Sequence, residues 1–207
     1  PDLIWEVFGE HLEKLVQPGD LDVVENDWLG VNYYFNSRIG HEVPADHPTR
    51  LRMVDEWLGY AVEGASVGHL TDMGWPITPY GLGDLLARWH REYGDLIGPM
   101  FVTENGVAYQ DEPGPDGEVH DSRRTEYIND HLKSIESAIA RGADVRGFFQ
   151  WSLMDNFEWA AGFGMRFGIV HVDYKTQKRT IKDSAKFYAE VIKNNGANLT
   201  SKVVRFF

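Results

Sequence analysis

The sequence predicts an α/β protein whose parallel strands are joined by helical crossovers. Three short apolar runs, rich in β-branched and aromatic residues, alternate with stretches whose apolar residues recur at helical spacing. Clusters of Gly, Pro and Asp punctuate the junctions. The order strand, helix, strand, helix, strand, helix then makes parallel strands with right-handed crossovers the expected topology. No internal repeat or low-complexity segment is visible.

Each element follows from its own pattern. Residues 2–16 place Ile4, Phe8, Leu12 and Leu15 at helical intervals, and Gln17-Pro18-Gly19-Asp20 ends that helix. The run Trp28-Leu29-Gly30-Val31-Asn32-Tyr33-Tyr34-Phe35 reads as a buried strand. Residues 38–75 show no clear period, and their Gly, Pro and charged residues predict a long loop of the kind that is usually functional or disordered. Thr78-Pro79 reads as an N-cap followed by proline at the first helical position, with Leu82, Leu85, Leu86, Trp89 and Tyr93 on the helix behind it. A second strand, Pro99-Met100-Phe101-Val102-Thr103, runs into Glu104-Asn105-Gly106, and residues 109–120 are loop-like. Asp121 or Ser122 caps a helix that carries Ile128, Leu132, Ile135 and Ile139 on one face and stops at Gly142. Residues 145–151 form a third strand. A hairpin follows, with arms at 167–174 and 179–181 and a turn at Lys175-Thr176-Gln177-Lys178. A last helix covers residues 182–194, with Tyr188, Val191 and Ile192 inward.

Composition narrows the class. Of 207 residues, 43% are hydrophobic and 13% aromatic, an ordinary globular balance, and a single unit over 1–207 is the expectation. Thirty-two acidic residues against 20 basic ones give a net charge of −12, which repels nucleic acid and anionic lipid. The absence of cysteine rules out disulfides, thiolate metal sites and thiol nucleophiles, and fits a cytoplasmic location. The eight histidines lack metal-ligand spacing, so neither a metal nor a cofactor is expected. No apolar run approaches the ~18 residues of a membrane span. No signal peptide opens the chain, which starts Pro1-Asp2-Leu3-Ile4 rather than with methionine and leaves an upstream segment open. Seven tryptophans suit either a Trp-rich core or a platform for flat ligands and sugar faces. Three parallel strands alone leave two open edges, so the chain is expected to be part of a larger α/β fold or to find a partner that completes it.

In α/β barrels, catalytic groups sit at the carboxyl ends of strands. Three clusters occupy that position: Asn32-Tyr33-Tyr34, Thr103-Glu104-Asn105-Gly106, and residues 151–159. A carboxylate ending an apolar strand is costly unless paired or used. Glu104 on its own reads as a charge turned to solvent, and its neighbours change that reading.

Thr103-Glu104-Asn105-Gly106 and Trp151-Ser152-Leu153-Met154-Asp155-Asn156-Phe157-Glu158-Trp159 resemble two segments of the family 1 glycosidases. Leu29-Gly30-Val31-Asn32-Tyr33-Tyr34 and Asp72-Met73-Gly74-Trp75-Pro76 resemble two more, in the family's order. The resemblance implies a (β/α)8 TIM barrel, with this chain supplying strands six to eight, and a retaining β-glycosidase activity on β-glucosides or small oligosaccharides. It implies that Glu104 is the nucleophile and Tyr34 the hydroxyl that holds it. Glu158 and Trp159 would bind hydroxyls of the glycone, Trp151 would stack on it, Phe167 would wall the subsite, and Trp75 would stand near the entrance. Asn32, in the same strand-end cluster as Tyr34, joins the substrate-binding set. Family members acting on 6-phosphorylated sugars lack the Glu-Trp pair, so Glu158-Trp159 implies an unphosphorylated glycone, glucose first.

The family's acid/base glutamate lies in an Asn-Glu-Pro segment, and no such tripeptide occurs in this sequence. The resemblance therefore implies a partner, the N-terminal part of the same barrel. A non-catalytic carbohydrate-binding half-barrel and a thioglycosidase are the competing readings.

Overall fold

A computed structural model describes residues 26–36 and 70–200, with residues 9, 14–17, 19, 38–40 and 61–63 besides. The helix expected over 2–16 lies almost wholly outside the described residues. The elements in chain order are β1 (Leu29–Asn32), β2 (Arg38–Gly40), β3 (Ala61–Glu63), α1 (Pro79–Ile97), β4 (Met100–Gly106), α2 (Ser122–Ala140), β5 (Val145–Trp151), β6 (Val170–Val172), β7 (Arg179–Ile181) and α3 (Asp183–Lys193).

The three expected strands form one sheet in the order β1-β4-β5, both pairs parallel. Val31 lies beside Val102, and Val102 beside Phe148. Alternation along β4 sends Met100 and Val102 to one face, where they pack with Val31, Leu82 and Leu86 of α1, and Ile135 and Ala138 of α2. Each fully buried Leu, Met or Val contributes about 1.5–3 kcal/mol, so this layer accounts for much of the local stability. The two helices meet closely at Gly83, where a Cβ would sit 2.5 Å from the Ser134 carbonyl oxygen and where the Gly83 amide donates to Ser134 Oγ at 3.0 Å.

The second face of the sheet is apolar and uncovered among the described residues. Phe149 is 58% exposed and Trp28 54% exposed, with Trp28 edge-on to Phe101 at 5.7 Å. Parallel sheets normally carry cover on both faces.

Several boundaries differ from expectation for identifiable reasons. β1 ends at Asn32 rather than continuing to residue 35, because its register against β4 shifts between Val31 and Asn32. Tyr33 then leaves the sheet and buries its ring, donating its hydroxyl to the Thr78 carbonyl at 2.6 Å. β4 instead continues through Gly106. The stretch read as a loop from 38 to 75 contains the antiparallel pair β2–β3, whose three-residue strands are too short to show a period. The 167–174 arm of the hairpin shrinks to β6, because residues 167–170 bond to 152–153 instead, through Ser152 N to Phe167 O at 3.2 Å and Val170 N to Leu153 O at 2.9 Å. Thr78 precedes α1 as expected but does not cap it; its Oγ1 accepts the Asn36 amide at 3.0 Å. Ile139 and Ile192, expected inward, are exposed. On α2 the buried stripe runs through Ile128, His131, Ile135 and Ala138, so Ile139 falls on its flank.

One buried group should make stability depend on pH. His131 is fully enclosed, shares a 2.8 Å bond with the Tyr127 carbonyl, and stacks on the Tyr127 ring at 3.9 Å. Desolvation pushes its pKa down to about 4. An unfolded chain takes up this proton near its ordinary value of 6.5, whereas the folded one resists it. Stability is therefore retained above pH 6.5 and lost as pH falls towards 4, by roughly 3 kcal/mol at most. Urea denaturation from pH 7 to 4 should show this slope, and His131→Phe should flatten it. An equally steep profile in the variant would assign the loss to other groups.

Candidate active site

The strand ends gather the polar groups. Glu104 ends the apolar part of β4 and faces Asn32 in register on β1. Its backbone carbonyl accepts the Tyr33 amide at 2.9 Å, which locks the two strand ends together. That turn brings the next side chain over the carboxylate, and Tyr34 Oη donates to Glu104 Oε2 at 2.8 Å. Burial, and then the Glu104 carboxylate that the hydroxyl is bonded to, raise the Tyr34 pKa well above that of an ordinary phenol. Tyr34 is thus a fixed proton donor to Glu104 across the physiological range. No other side chain among the described residues hydrogen-bonds Glu104.

Around this pair stands an aromatic wall. Trp75 lies edge-on to Tyr34 at 5.4 Å and 6.0 Å from Phe167, which in turn lies edge-on to Tyr34 at 6.3 Å. Phe35 adds a tilted contact with Trp75 at 5.4 Å. Phe167 is buried, and Trp75 is set by a tight turn in which its amide donates to Thr71 Oγ1 at 3.2 Å.

The remaining expected residues are placed differently. Asn32 is exposed and accepts Thr103 Oγ1 at 2.7 Å. Trp151 is half-buried at the end of β5, with no ring contact to the wall among the described residues; the Trp151–Ser152 peptide is cis. Glu158 precedes a 3-10 turn at Trp159–Ala161, and its amide donates to the Gly162 carbonyl at 2.7 Å. Its Oε2 is buried with no hydrogen-bond partner, and its charge adds to the upward push on Tyr34. Trp159 is 81% exposed and stands out into solvent. Tyr34, Glu104, Trp75 and Phe167 are therefore brought into one contact group, and Glu158 acts on it through its field.

The support beneath Glu104 was not among the expected site residues. Asn105 is fully buried and donates its amide to the Tyr33 carbonyl at 2.7 Å and to Tyr127 Oη at 3.1 Å. Tyr127 Oη donates onward to the Tyr34 carbonyl at 3.4 Å. Asn105 and Tyr127 thus hold the two successive carbonyls of the segment that places Tyr34 over the carboxylate. The signal for Asn105 was its place beside Glu104; for Tyr127 it was a polar tip on the inward stripe of α2. Among the described residues, no group of three or more His, Asp or Glu side chains is disposed to hold a metal ion. No helix among them is long and apolar enough to cross a membrane.

Polar groups gathered at the carboxyl ends of parallel, helix-backed strands are the arrangement found in the α/β barrel enzymes. Within that class, the chain belongs to glycosyl hydrolase family 1, whose profile matches residues 12–197. It is 41% identical to the 1,4-beta-D-glucan glucohydrolase of Thermotoga neapolitana over 200 residues, which cover 95% of this chain and 41% of that protein. It is 37% identical to the 6-phospho-beta-galactosidase of Clostridium acetobutylicum, over 86% of this chain and 40% of that one. Among solved structures, a psychrophilic beta-glucosidase from Micrococcus antarcticus superposes with a TM-score of 0.81 at 41% identity, over 94% of this chain and 43% of that one. These structural relatives are TIM barrels, and this chain matches part of one. It spans about 41% of the length of the first curated relatives.

β4 and β5 approach most tightly at the site. A Cβ on Gly106 would collide with the Trp151 carbonyl oxygen. Gly106→Ala should force the two strand ends apart and destabilise the protein by about 1–3 kcal/mol. A urea midpoint unchanged from wild type would show that the strands can separate there without cost.

Proposed function

We propose that this chain carries the nucleophile side of a retaining β-glycosidase that removes terminal β-linked glucose or closely related sugars. The single observation that carries the reading is the 2.8 Å bond from Tyr34 Oη to Glu104 Oε2 within an aromatic enclosure. A carboxylate held by one fixed donor, with no competing side-chain bond among the described residues, is oriented for attack.

Glu104 attacks the anomeric carbon as a second carboxyl group protonates the departing oxygen, giving a covalent glycosyl–enzyme ester. Water then attacks the same carbon, activated by the second carboxylate, and Glu104 leaves. In retaining enzymes the two groups stand ~5–5.5 Å apart. Tyr34 holds the Glu104 carboxylate for attack and stabilises the charge that returns to it when the ester is cleaved.

The glycone site follows from the neighbouring groups. The unpartnered, buried Oε2 of Glu158 is an acceptor that costs about 1–3 kcal/mol while unsatisfied, a cost that sugar hydroxyls would offset. Trp151 stacks on the apolar face of the glycone, Phe167 walls it, and Asn32 and the exposed Trp159 indole complete the polar contacts. Trp75 stands towards the leaving group. Glu158 also repels a phosphate, which favours an unphosphorylated sugar despite the 37% identity to a 6-phospho-beta-galactosidase. The relative from Thermotoga maritima, 34% identical, has been solved in complex with isofagomine lactam and with glucoimidazole, which supports a glycoside site here.

The second carboxyl group comes from the N-terminal part of the barrel, since no Asn-Glu-Pro occurs here. In this reading β1, β4 and β5 are strands six, seven and eight. The exposed Trp28 and Phe149 are the inner face that the other strands cover.

The 207-residue chain alone should not hydrolyse a chromogenic β-glucoside; combined with the N-terminal part, it should. Turnover by the isolated monomer would exclude the shared site. In the assembly, Glu104→Gln should abolish turnover by orders of magnitude while glucose still binds, and equal losses of rate and binding would make Glu104 structural. Glu158→Ser should lower kcat/KM about 10- to 100-fold, as expected for losing a charged hydrogen-bond acceptor. An assembly that binds glucose without any turnover would favour a carbohydrate-binding role.

A further inference from the structure

Six charged side chains are packed together away from water, and none belongs to the candidate site. Arg124 and Lys182 are fully buried, and the carboxylates of Asp155, Asp121 and Asp111 are almost as well enclosed. Arg166 completes the set, giving three cations against three anions.

The Asp155 carboxylate is the most heavily used group. Its Oδ1 accepts Lys182 Nζ at 3.1 Å and the Gly168 amide at 3.0 Å. Its Oδ2 accepts Arg166 Nη1 at 2.8 Å and the Val172 amide at 3.3 Å. Its own amide donates to the Val170 carbonyl at 3.0 Å. Lys182 links this knot to Asp111 at 2.8 Å, and Arg124 links Asp111 to Asp121, the latter at 2.6 Å. The cluster thus joins the 107–121 loop, α2, the segment after β5, the 166–172 segment and the start of α3.

Such an arrangement is a poor way to gain stability. Each buried ion costs several kcal/mol of desolvation, and well-packed apolar side chains of similar volume often do as well or better. What the ions supply is direction: four donors converge on one carboxylate three residues before Glu158. One of them is the amide of Gly168, next to the Phe167 wall. The same carboxylate therefore fixes the origin of the Glu158 turn and the ring beside it.

We infer that Asp155 and Lys182 are positioning residues for Glu158, holding its segment against residues 167–172 without touching substrate. The inference rests on the reading of Glu158 as a sugar-binding carboxylate. Asp155 anchors the turn, and Lys182 neutralises Asp155 and Asp111 together, so that neither carboxylate is drawn towards Arg166 or Arg124 alone.

The test uses the chain assembled with its N-terminal part, and combines kinetics with a structural readout. Lys182→Met is the milder variant, because Asp155 keeps Arg166 and two amides while Asp111 keeps Arg124. It should lower kcat/KM for a chromogenic β-glucoside about 10- to 100-fold, with KM rising more than kcat falls, as a small misplacement of a binding group would produce. Asp155→Asn should do the same or more, and Lys182→Arg should restore part of the loss. In a Glu158→Gln background, Lys182→Met should add less than about twofold, because interacting residues are not additive.

The chain contains no cysteine, so Phe157→Cys, an exposed position beside the turn, can be labelled with a nitroxide before assembly and reports on local order directly. Its spectrum should sharpen in Lys182→Met. Fully additive losses, or an unchanged spectrum with unchanged kcat/KM, would overturn the inference. Failure of both Lys182→Met and Asp155→Asn to fold would overturn it too, making the cluster a folding element. No loss in Glu158→Gln alone would instead remove the reading of Glu158 on which the inference stands.

Discussion

The central strand β4 is the constraint on which the rest depends. It is bonded on both sides, to β1 and β5, and its inward residues Met100 and Val102 anchor the layer formed with α1 and α2. Because its lower half is fixed so firmly, its upper end can carry irregularity. The register shifts against β1 between Val31 and Asn32, and against β5 between Met100 and Phe101 and again between Val102 and Asn105. The shift against β1 releases Tyr33 and Tyr34 from the sheet and turns one of them over Glu104. The site is a departure from regular pairing, held in place by the apolar layer that packs below it.

Electrostatics follow the same division. At the strand ends a single side-chain hydrogen bond among the described residues holds a carboxylate that stays open to the enclosure, and Tyr34, its donor, is kept protonated by burial and by that carboxylate. Behind them the buried charges are fully matched, with each carboxylate of the cluster meeting at least one cation. Open and saturated carboxylates thus occupy adjacent layers of one structure, and their surroundings set the difference.

The sequence made the framework legible because helices and buried strands advertise themselves locally. Leu82, Leu86, Ile128 and Ile135 were readable as inward from spacing alone, and all four are buried. Strand ends were not, since where β1 stops depends on its partner rather than on its own residues. Ile139 was misread because Ala138 completes the stripe by position, although isoleucine is the more apolar residue. In the site, Glu104, Tyr34 and Trp75 could be named from motifs and Phe167 from the family resemblance, and the structure brings these four together. Asn105 and Tyr127 were missed because their roles are hydrogen bonds to groups on other elements. The buried ions were invisible for a related reason: Lys182 meets Asp111 71 positions away and Asp155 27 positions away, separations that no local pattern records.

The uncovered face bearing Trp28 and Phe149 has a kinetic meaning as well. In the proposed barrel β5, as strand eight, gains its outer neighbour from strand one, the most remote strand along the polypeptide, so completing the sheet is an event of high contact order. Such closures are slow, because the entropy of bringing distant segments together is spent before their contacts form. Among the described residues, Trp28, Phe149 and the outer edges of β1 and β5 face solvent. In that reading the uncovered face is, during synthesis, an adhesive surface, and the interval before it is covered is when aggregation competes most directly with folding.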